Sequence, residues 1–223
     1  MPTTAFDVYE RLAKHFGKQH WWPGETKFEI IVGAVLTQNT AWSNVELAIE
    51  NLRDASALKF SAMHQLSSDE LSELIRPAGY YNLKAKRLRN LLQFIDEEYD
   101  GAIDDMFSVG MMTLREQLLG VNGIGPETAD SILLYAGEQP TFVVDAYTAR
   151  MVKRHEWVDE EADYYAIKDY FESQLNSDTQ LFNEYHALIV QLGKSFCKPK
   201  PVCQECPLCD LLPESSELRP DER

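Results

Sequence analysis

Apolar residues recur with helical spacing in nearly every periodic segment of the chain. Residues 5–16 carry one apolar face and end at Gly17, whereas residues 27–37, KFEIIVGAVLT, are apolar on almost every side, as in a helix buried within a bundle. Only residues 140–144, PTFVV, have a locally extended pattern, and this segment is too short to found a sheet. The pattern therefore predicts an all-α fold.

Polar residues that precede apolar periods indicate where helices begin. Ser67 with Glu70, and Thr113 with Glu116, have the spacing of a capping box, in which the two side chains cap the helix start reciprocally. Asn82 precedes a leucine-rich segment and is a further candidate N-cap. Ser67, Thr113 and Asn82 are each predicted to cap the start of a helix.

Length and hydropathy bound the class of protein. The 223 residues can bury a substantial core, no apolar run reaches membrane-spanning length, and the N-terminus lacks the basic-then-apolar order of a signal peptide. We therefore expect a soluble cytoplasmic protein of prokaryotic type, with no membrane partner.

The formal net charge of −15 argues against a general nucleic-acid binder, because phosphate neutralisation requires Lys and Arg. Three local basic clusters weaken that objection: residues 84–89, KAKRLR, residues 150–154 and residues 194–200. Each cluster could equally be a solvated helix face.

All four cysteines fall between positions 197 and 209, in CKPKPVCQECPLC. A disulfide framework would scatter cysteines through a secreted chain, so this spacing indicates a metal or cluster site formed by Cys197, Cys203, Cys206 and Cys209. Zinc held by four thiolates and an iron–sulfur cluster are both compatible with the residue types.

A glycine-rich turn with helix-forming sequence on both sides occupies residues 113–136. Gly120, Gly123 and Gly125 precede Pro126, and proline suits the first position of a helix because its missing N–H costs nothing there. Glycines let the main chain approach another group closely, and the free N–H groups at the helix start can bind an anion such as a DNA phosphate. An ordinary αα-hairpin is the alternative.

The segments GVNGIGPETAD (120–130) and VVDAYTAR (143–150) resemble the helix-hairpin-helix and the catalytic-aspartate segment of the endonuclease III superfamily of DNA base-excision glycosylases. Within it, HWWPGETKFEIIVGAVLTQNT (20–40) and RPAGYYNLKAKRL (76–88) are most similar to the 3-methyladenine DNA glycosylase III type. The resemblance spans nearly the whole chain. It implies a DNA glycosylase of base-excision repair.

The resemblance also implies a two-lobed helical fold with DNA in the cleft between the lobes. We expect a six-helix lobe at residues 24–138 that contains the helix-hairpin-helix at about residues 113–136. The second lobe would combine residues 1–23 with residues 139–223 and would carry the cysteine loop. The expected partner is double-stranded DNA with a damaged base, bound by a monomer that is nucleoid-associated.

Asp145 matches the family's catalytic aspartate, which lies at C1′ of the flipped nucleotide. An anionic carboxylate can stabilise the oxocarbenium character that develops when an N-glycosidic bond breaks, and can orient the attacking water. By residue type alone, Asp145 could simply cap the helix that begins at Ala146. Bifunctional members carry a lysine at the position of Glu127, and a carboxylate cannot form their Schiff base. We therefore expect no AP-lyase activity.

By resemblance, Trp21, Trp22 and Pro23 line the base pocket, and Lys194 matches a lysine beside it. Aromatic faces attract cations, and an N-alkylated base carries a positive charge that helps it leave. The expected substrate is an alkylated purine such as 3-methyladenine. Alternatively, the tryptophans belong to the core and Lys194 is a surface charge or phosphate contact.

By resemblance, Gln38 and Tyr80 fill the gap that a flipped nucleotide leaves in the duplex. The hairpin glycines Gly123 and Gly125 would bind the DNA backbone. Helix-end and core roles for Gln38 and Tyr80 are the alternative. Two lysines that follow Tyr80 are further candidate DNA contacts: Lys84 and Lys86.

The family's cysteine loop holds a [4Fe–4S] cluster, usually with six, two and five intervening residues. The intervals here are five, two and two, so the first and last depart from the family pattern. The C-x2-C-x2-C run also occurs in ferredoxins and is compatible with a cluster. We expect [4Fe–4S], with zinc as the alternative, in a structural role that presents Lys198 and Lys200 to DNA.

Three other functions remain open from the sequence. A thymine or uracil mismatch glycosylase, or an oxidised-base glycosylase of the endonuclease III type, would use the same fold. A non-catalytic DNA-damage-binding protein agrees with the acidic charge and the missing lysine, and a cluster-bearing electron-transfer or interaction protein would need neither the hairpin nor Asp145.

Overall fold

The computed structural model describes residues 4–19, 21 and 24–218, and all regular structure in those ranges is helical, which confirms the predicted all-α fold. The α-helices are α1 (Ala5–Phe16), α2 (Lys27–Leu36), α3 (Trp42–Asp54), α4 (Phe60–Gln65), α5 (Ser68–Leu74), α6 (Tyr81–Tyr99), α7 (Ile103–Ser108), α8 (Met111–Gly120), α9 (Pro126–Ser131), α10 (Ala146–Arg154), α11 (Tyr164–Glu172) and α12 (Thr179–Ser195). Short 3₁₀ turns occupy Arg76–Ala78, Cys203–Glu205 and Cys209–Leu211, and a π-helical turn, Ile132–Ala136, continues α9.

The chain divides into two compact units, Met1–Trp21 with Pro140–Arg223 and Trp22–Gln139. We call the first the cysteine unit and the second the hairpin unit. Helix α2 is the central element of the hairpin unit, where it packs on α3, α6, α9 and the π-helical turn. Nine of its ten residues, from Phe28 to Leu36, are buried, which explains why its sequence is apolar on every side.

Helix starts follow the predicted capping residues in one of three cases. Ser67 caps α5 in a capping box with Glu70, as predicted. The predictions for Thr113 and Asn82 were wrong. Helix α8 begins one turn earlier, after the N-cap Gly110, and α6 begins after the N-cap Tyr80; neither N-cap residue makes a side-chain capping hydrogen bond.

An aromatic cluster around Phe142 forms part of the core of the cysteine unit. The ring of Phe142 stacks on Phe171 at 4.1 Å and meets Phe182 edge-on. Its backbone N–H donates to Oε1 of Glu172 at 2.7 Å. The segment 140–144 is therefore buried without pairing as a strand, because side chains satisfy its main chain.

Helix α1 packs on α12, and the hydroxyl of Tyr185 donates to the carbonyl of Ala5 at 2.8 Å. Among the described residues, no helix is both long enough and apolar enough to cross a membrane.

Candidate functional site

Asp145 is the N-cap of α10, as its residue type predicts. Its Oδ1 accepts hydrogen bonds from the backbone N–H of Thr148 at 2.7 Å and from the Thr148 hydroxyl at 2.9 Å. The side chain is only 13% exposed, so the carboxylate lies mostly out of water. One oxygen of the carboxylate is thus committed to the helix start.

The second oxygen of Asp145 faces a histidine. Nε2 of His186, on α12, lies 3.5 Å from Oδ2 of Asp145, and the imidazole is itself buried. The His186 ring also meets the indole of Trp21, with ring centroids 5.6 Å apart and an angle of 33° between the planes. The structure therefore brings together the predicted catalytic carboxylate, one predicted pocket tryptophan and a histidine.

Sequence reasoning did not find His186. A lone histidine among the apolar positions of a helix has no spacing relationship to an aspartate 41 residues earlier, so no local signal indicates the pair. The pairing arises only from the packing of α10 on α12.

Opposing influences set the charge of Asp145. Burial alone raises the pKa of the carboxyl, but the hydrogen bond and charge of His186, together with the hydrogen bonds from Thr148, outweigh it and hold the pKa below its usual value. Asp145 is therefore an anion at neutral pH, in a site with little water.

Three further residues were predicted to line or adjoin the base pocket: Trp22, Pro23 and Lys194. Trp22 and Pro23 lie outside the described residues. Lys194 is exposed in the last turn of α12, where a positive charge complements the negative end of the helix dipole.

The hairpin of α8 and α9 has the predicted construction, with Gly125 as N-cap and Pro126 in the first helical position. Gly123 has a φ of +99°, and a Cβ there would overlap the side chain of Arg87, so this position requires glycine. Gly125 has open space on the side where a Cβ would lie, so its main chain is accessible to a ligand. Glu127 is exposed in the first turn of α9.

Gln38 faces the hairpin in this structure. Its Nε2 donates to the carbonyl of Gly123 at 3.1 Å and to the hydroxyl of Thr128 at 2.8 Å, while its Oε1 accepts a hydrogen bond from Arg87. The next residue, Asn39, is exposed and has a φ of +52°. The exposed tip of this loop is thus Asn39, one position beyond the predicted wedge residue.

Tyr80 is 72% exposed, and its φ of +46° places it in the left-handed region at the start of α6. Such a backbone is strained for a bulky side chain, and strain of this kind is concentrated at functional sites. Lys86 is exposed on the same helix.

Lys84 requires a correction, because the prediction that it contacts DNA conflicts with its burial. The side chain is 1% exposed, and its Nζ donates to the carbonyls of Leu36 and Ala78, both at 2.7 Å. Burial lowers the pKa of this amine to about 8, with a further contribution from the charge of Arg87. Its spacing from Leu88 places it on the apolar stripe of α6, a signal that could have identified it from the sequence.

The four cysteines line one pocket, as their clustering predicts, together with five other residues of the cysteine unit: Arg154, His155, Leu192, Phe196 and Leu212. Burial raises the pKa of the Cys206 thiol to about 11 and also raises that of Cys203, with further contributions from neighbouring cysteines. Thiols that resist ionisation in this way need a bound cation to become thiolates.

The cysteine loop is tied to the end of α10. Arg150 donates from Nε to the carbonyl of Cys197 at 2.7 Å, and Arg154 donates to the carbonyls of Lys198 at 2.6 Å and Pro199 at 3.0 Å. Arg154 also donates to Sγ of Cys197 at 3.2 Å. The helix that begins at the candidate catalytic residue therefore ends against this loop.

The four cysteines are the candidate ligands of a metal ion or a cluster. Among the described residues, no three His, Cys, Asp or Glu side chains converge closely enough to hold a single metal ion. Four thiolates are the ligand set of both a tetrahedral zinc site and an iron–sulfur cluster.

The comparisons with known proteins agree with this geometry. A protein of Methanocaldococcus jannaschii named "Putative DNA repair glycosylase MJ1434" is 50% identical over 205 residues, which cover 91% of this chain and 93% of the relative. The crystal structure of the Helicobacter pylori 3-methyladenine DNA glycosylase MagIII bound to 1,N6-ethenoadenine superposes with a TM-score of 0.75 at 30% identity, covering 86% of this chain and 98% of that one.

A non-covalent endonuclease III–DNA complex has the same fold, with a TM-score of 0.80 at 22% identity, covering 93% of this chain and 92% of that one. The family model of the HhH-GPD superfamily base excision DNA repair proteins matches residues 32–176, which include the hairpin, Asp145 and all of α11. The chain therefore belongs to the HhH-GPD superfamily of base excision DNA repair proteins and is a DNA glycosylase of that type.

Proposed function

We propose that this glycosylase is monofunctional and hydrolyses the N-glycosidic bond of alkylated purines such as 3-methyladenine. The observation that carries the proposal is the buried, anionic Asp145 in a chain that has Glu127 at the position of the Schiff-base lysine. An anionic carboxylate can assist water attack, whereas a carboxylate at 127 cannot form an imine.

Asp145 acts in this proposal through its charge. As the glycosidic bond lengthens, positive charge develops on the sugar, and a carboxylate held in a site of low polarity stabilises that charge more strongly than it would in water. Oδ1 is occupied by the hydrogen bonds from Thr148, so the carboxylate is fixed in orientation before substrate binds. Water attack at the sugar then yields a free base and an abasic site.

The position of Trp21 in the candidate site supports an alkylated purine as the substrate. Trp21 lies beside His186, and an indole face attracts a desolvated cation by about 2 kcal/mol or more. A base alkylated on a ring nitrogen is such a cation and needs no acid to leave. The similarity to the Helicobacter pylori 3-methyladenine glycosylase supports the same substrate class.

DNA is bound, in this proposal, mainly by the hairpin unit. The accessible main chain at Gly125 and the start of α9 contact a phosphate, and Lys86 adds a positive charge. Tyr80 stacks in the gap left by the flipped nucleotide. Asn39, rather than Gln38, contacts the orphaned partner base, because Gln38 is engaged by the hairpin.

The cysteine pocket fits a [4Fe–4S] cluster held by Cys197, Cys203, Cys206 and Cys209, and we propose that group in preference to zinc. When bound, the cluster supplies structural stability to the loop. The residues of the chain then present Lys198 and Lys200, both exposed, toward the DNA backbone.

A panel of duplexes that each contain one lesion tests the proposed function. We expect release of free 3-methyladenine, strand breaks only after alkali, and no complex trapped by borohydride. Borohydride trapping on DNA would disprove the monofunctional mechanism. Preferential release of thymine or uracil from mismatches would replace the substrate, and tight lesion binding without any release would indicate a damage-binding protein.

A further inference from the structure

The buried contact between His186 and Asp145 has no role in capping α10. Capping uses only Oδ1, which Thr148 satisfies, and a serine, threonine or asparagine would serve equally well at that position. Oδ2 faces Nε2 of His186 at 3.5 Å inside the cysteine unit. A charge at this depth is costly without such a partner, so the histidine is what makes a carboxylate tolerable here.

We propose that His186 is a positioning residue for the glycosylase reaction: its Nε2–H points at Oδ2 of Asp145 and holds the carboxylate plane at the angle required for water attack. The inference rests on the proposed function, in which Asp145 assists the reaction. The N···O distance is long for a hydrogen bond, as is common before substrate binds, and a shift of a few tenths of an ångström would shorten it to an ordinary hydrogen bond.

The close packing of α10 on α12 keeps His186 near Asp145. At Gly193, two turns after His186, a Cβ would overlap the ring of Tyr147, which lies two residues after Asp145. A glycine here leaves room for the ring of Tyr147 against α12. The separation of His186 and Asp145 is therefore fixed by packing of the main chain as well as by the side chains.

Trp21 is a second neighbour of the imidazole. Its ring lies beside His186, so the histidine contacts both the carboxylate and an aromatic side chain. The same ring is the proposed wall for the damaged base. His186 therefore sets the spacing between the group that recognises the base and the group that acts at the sugar.

Two substitutions at this position separate the proposed role from simple packing. His186→Phe keeps a buried ring of similar size but removes the N–H, whereas His186→Gln can donate from nearly the same place. In single-turnover assays of base release, we expect His186→Phe to be slower by about 10- to 100-fold, the range for residues that orient another functional group. His186→Gln should recover most of that rate, and lesion-DNA affinity should stay within about twofold in both, because the loss is confined to the chemical step.

A spectroscopic readout accompanies the rates. Carbon-13 NMR of the Asp145 carboxyl should show a higher pKa in His186→Phe than in the wild type, with partial return in His186→Gln. His64→Phe, at a half-exposed histidine of the hairpin unit, is the matched control and should leave both readouts unchanged. Thermal melting of each variant identifies any that fail to fold, and the His186→Gln data then decide.

The outcomes distinguish the two proposals. If the wild type releases alkylated base and Asp145→Asn does not, the proposed role of Asp145 stands. His186→Phe at the wild-type rate, or a slow His186→Phe that His186→Gln does not rescue, would then overturn the inference about His186 alone. If Asp145→Asn retains full turnover, the role of Asp145 fails first and the positioning role fails with it.

Discussion

Arg115 and Asp130 form a buried ion pair that joins the two helices of the hairpin. Nε of Arg115 lies 2.8 Å from Oδ1 of Asp130, and Nη2 donates to Oδ2 at 3.0 Å. Asp130 is fully buried and the Arg115 side chain is 13% exposed. Because a planar guanidinium and a carboxylate match in two parallel hydrogen bonds, the pair fixes the angle between α8 and α9.

Arg115→Met should lower the free energy of unfolding by about 3–5 kcal/mol, since it removes the guanidinium that neutralises the buried Asp130 carboxylate. Urea denaturation measures the loss. The matched control is Arg76→Met, which breaks an exposed pair with Glu73 and should cost less than about 1 kcal/mol. Equal costs for the two substitutions would contradict the structural role of the buried pair.

Asp145→Asn should reduce single-turnover base release by about 10²- to 10⁴-fold, because an amide cannot supply the negative charge. Asparagine caps helices as well as aspartate does, so the free energy of unfolding should change by less than about 1 kcal/mol. A variant with normal stability and normal turnover would remove Asp145 from the mechanism.

The pH dependence follows from the lowered pKa of Asp145. Because the folded-state pKa lies below the ordinary value of 3.8, the carboxylate stays ionised as the pH falls, and its contribution to stability is present above 3.8 and is lost only as the pH falls through the folded pKa. Base release should therefore show no loss from Asp145 between pH 8 and pH 5, both far above that value. An acid limb centred near pH 6 that Asp145 titration accounts for would contradict this prediction.

Lys84→Met should destabilise the hairpin unit, because the carbonyls of Leu36 and Ala78 lose a donor. An unsatisfied buried carbonyl costs about 1–3 kcal/mol, so two predict a loss of about 2–6 kcal/mol at neutral pH. Lys86→Met, at an exposed position on the same helix, is the control. DNA affinity of the folded Lys84→Met protein should fall less than that of Lys86→Met.

The wild type should also gain stability over Lys84→Met as the pH rises from about 8 toward 10.5. The folded-state pKa of Lys84 is lowered to about 8 from 10.5, so the unfolded chain binds the proton more tightly, and the cost of burying the charge disappears across that interval. Unfolding free energies at three pH values in this window measure the difference. A stability difference that does not vary with pH would show that Lys84 keeps its proton.

Gln38→Ala and Asn39→Gly should have different effects. Gln38 bonds to Gly123, Thr128 and Arg87, so its loss should lower stability by about 1–3 kcal/mol. Asn39 is exposed with a φ of +52°, which glycine adopts without strain, so its loss should leave stability within about 0.5 kcal/mol while reducing base release from duplex DNA. Reduced release by Gln38→Ala at unchanged stability would return the wedge role to Gln38.

Arg154→Met should weaken retention of the proposed cluster. The substitution removes donors to Cys197, Lys198 and Pro199, which hold the loop in place. Lys153→Met removes the same charge from the neighbouring position and is the control. Iron per chain and visible absorption after anaerobic purification should fall in Arg154→Met alone, and a colourless wild type that contains one zinc would overturn the cluster assignment.

The helices and the hairpin turn were predictable because their signals are local. The apolar period of α2, the capping box of Ser67 and the Gly125–Pro126 junction each depend on residues within one or two turns. Helix starts at α6 and α8 were not predictable from polar residues, since their N-cap residues, Tyr80 and Gly110, make no side-chain capping hydrogen bond.

Individual side-chain environments were less predictable, since burial depends on distant segments. Lys84 belongs to a basic run in the sequence, yet in the fold it is buried and donates hydrogen bonds to two main-chain carbonyls. Gln38 was predicted to fill the gap left by a flipped nucleotide, and its hydrogen bond to the hairpin 85 residues later had no signal in the sequence.

By itself, the sequence determined the helical class, the glycine turn, the four clustered cysteines, the capping aspartate and the absence of a lysine at Glu127, because each is a matter of residue type and short spacing. Only the tertiary structure decided that Asp145 faces His186, that the four cysteines share one pocket, and that Lys84 is buried. These relationships depend on which helices pack together. That choice is made by the burial of whole apolar faces, and no pair of residues encodes it locally.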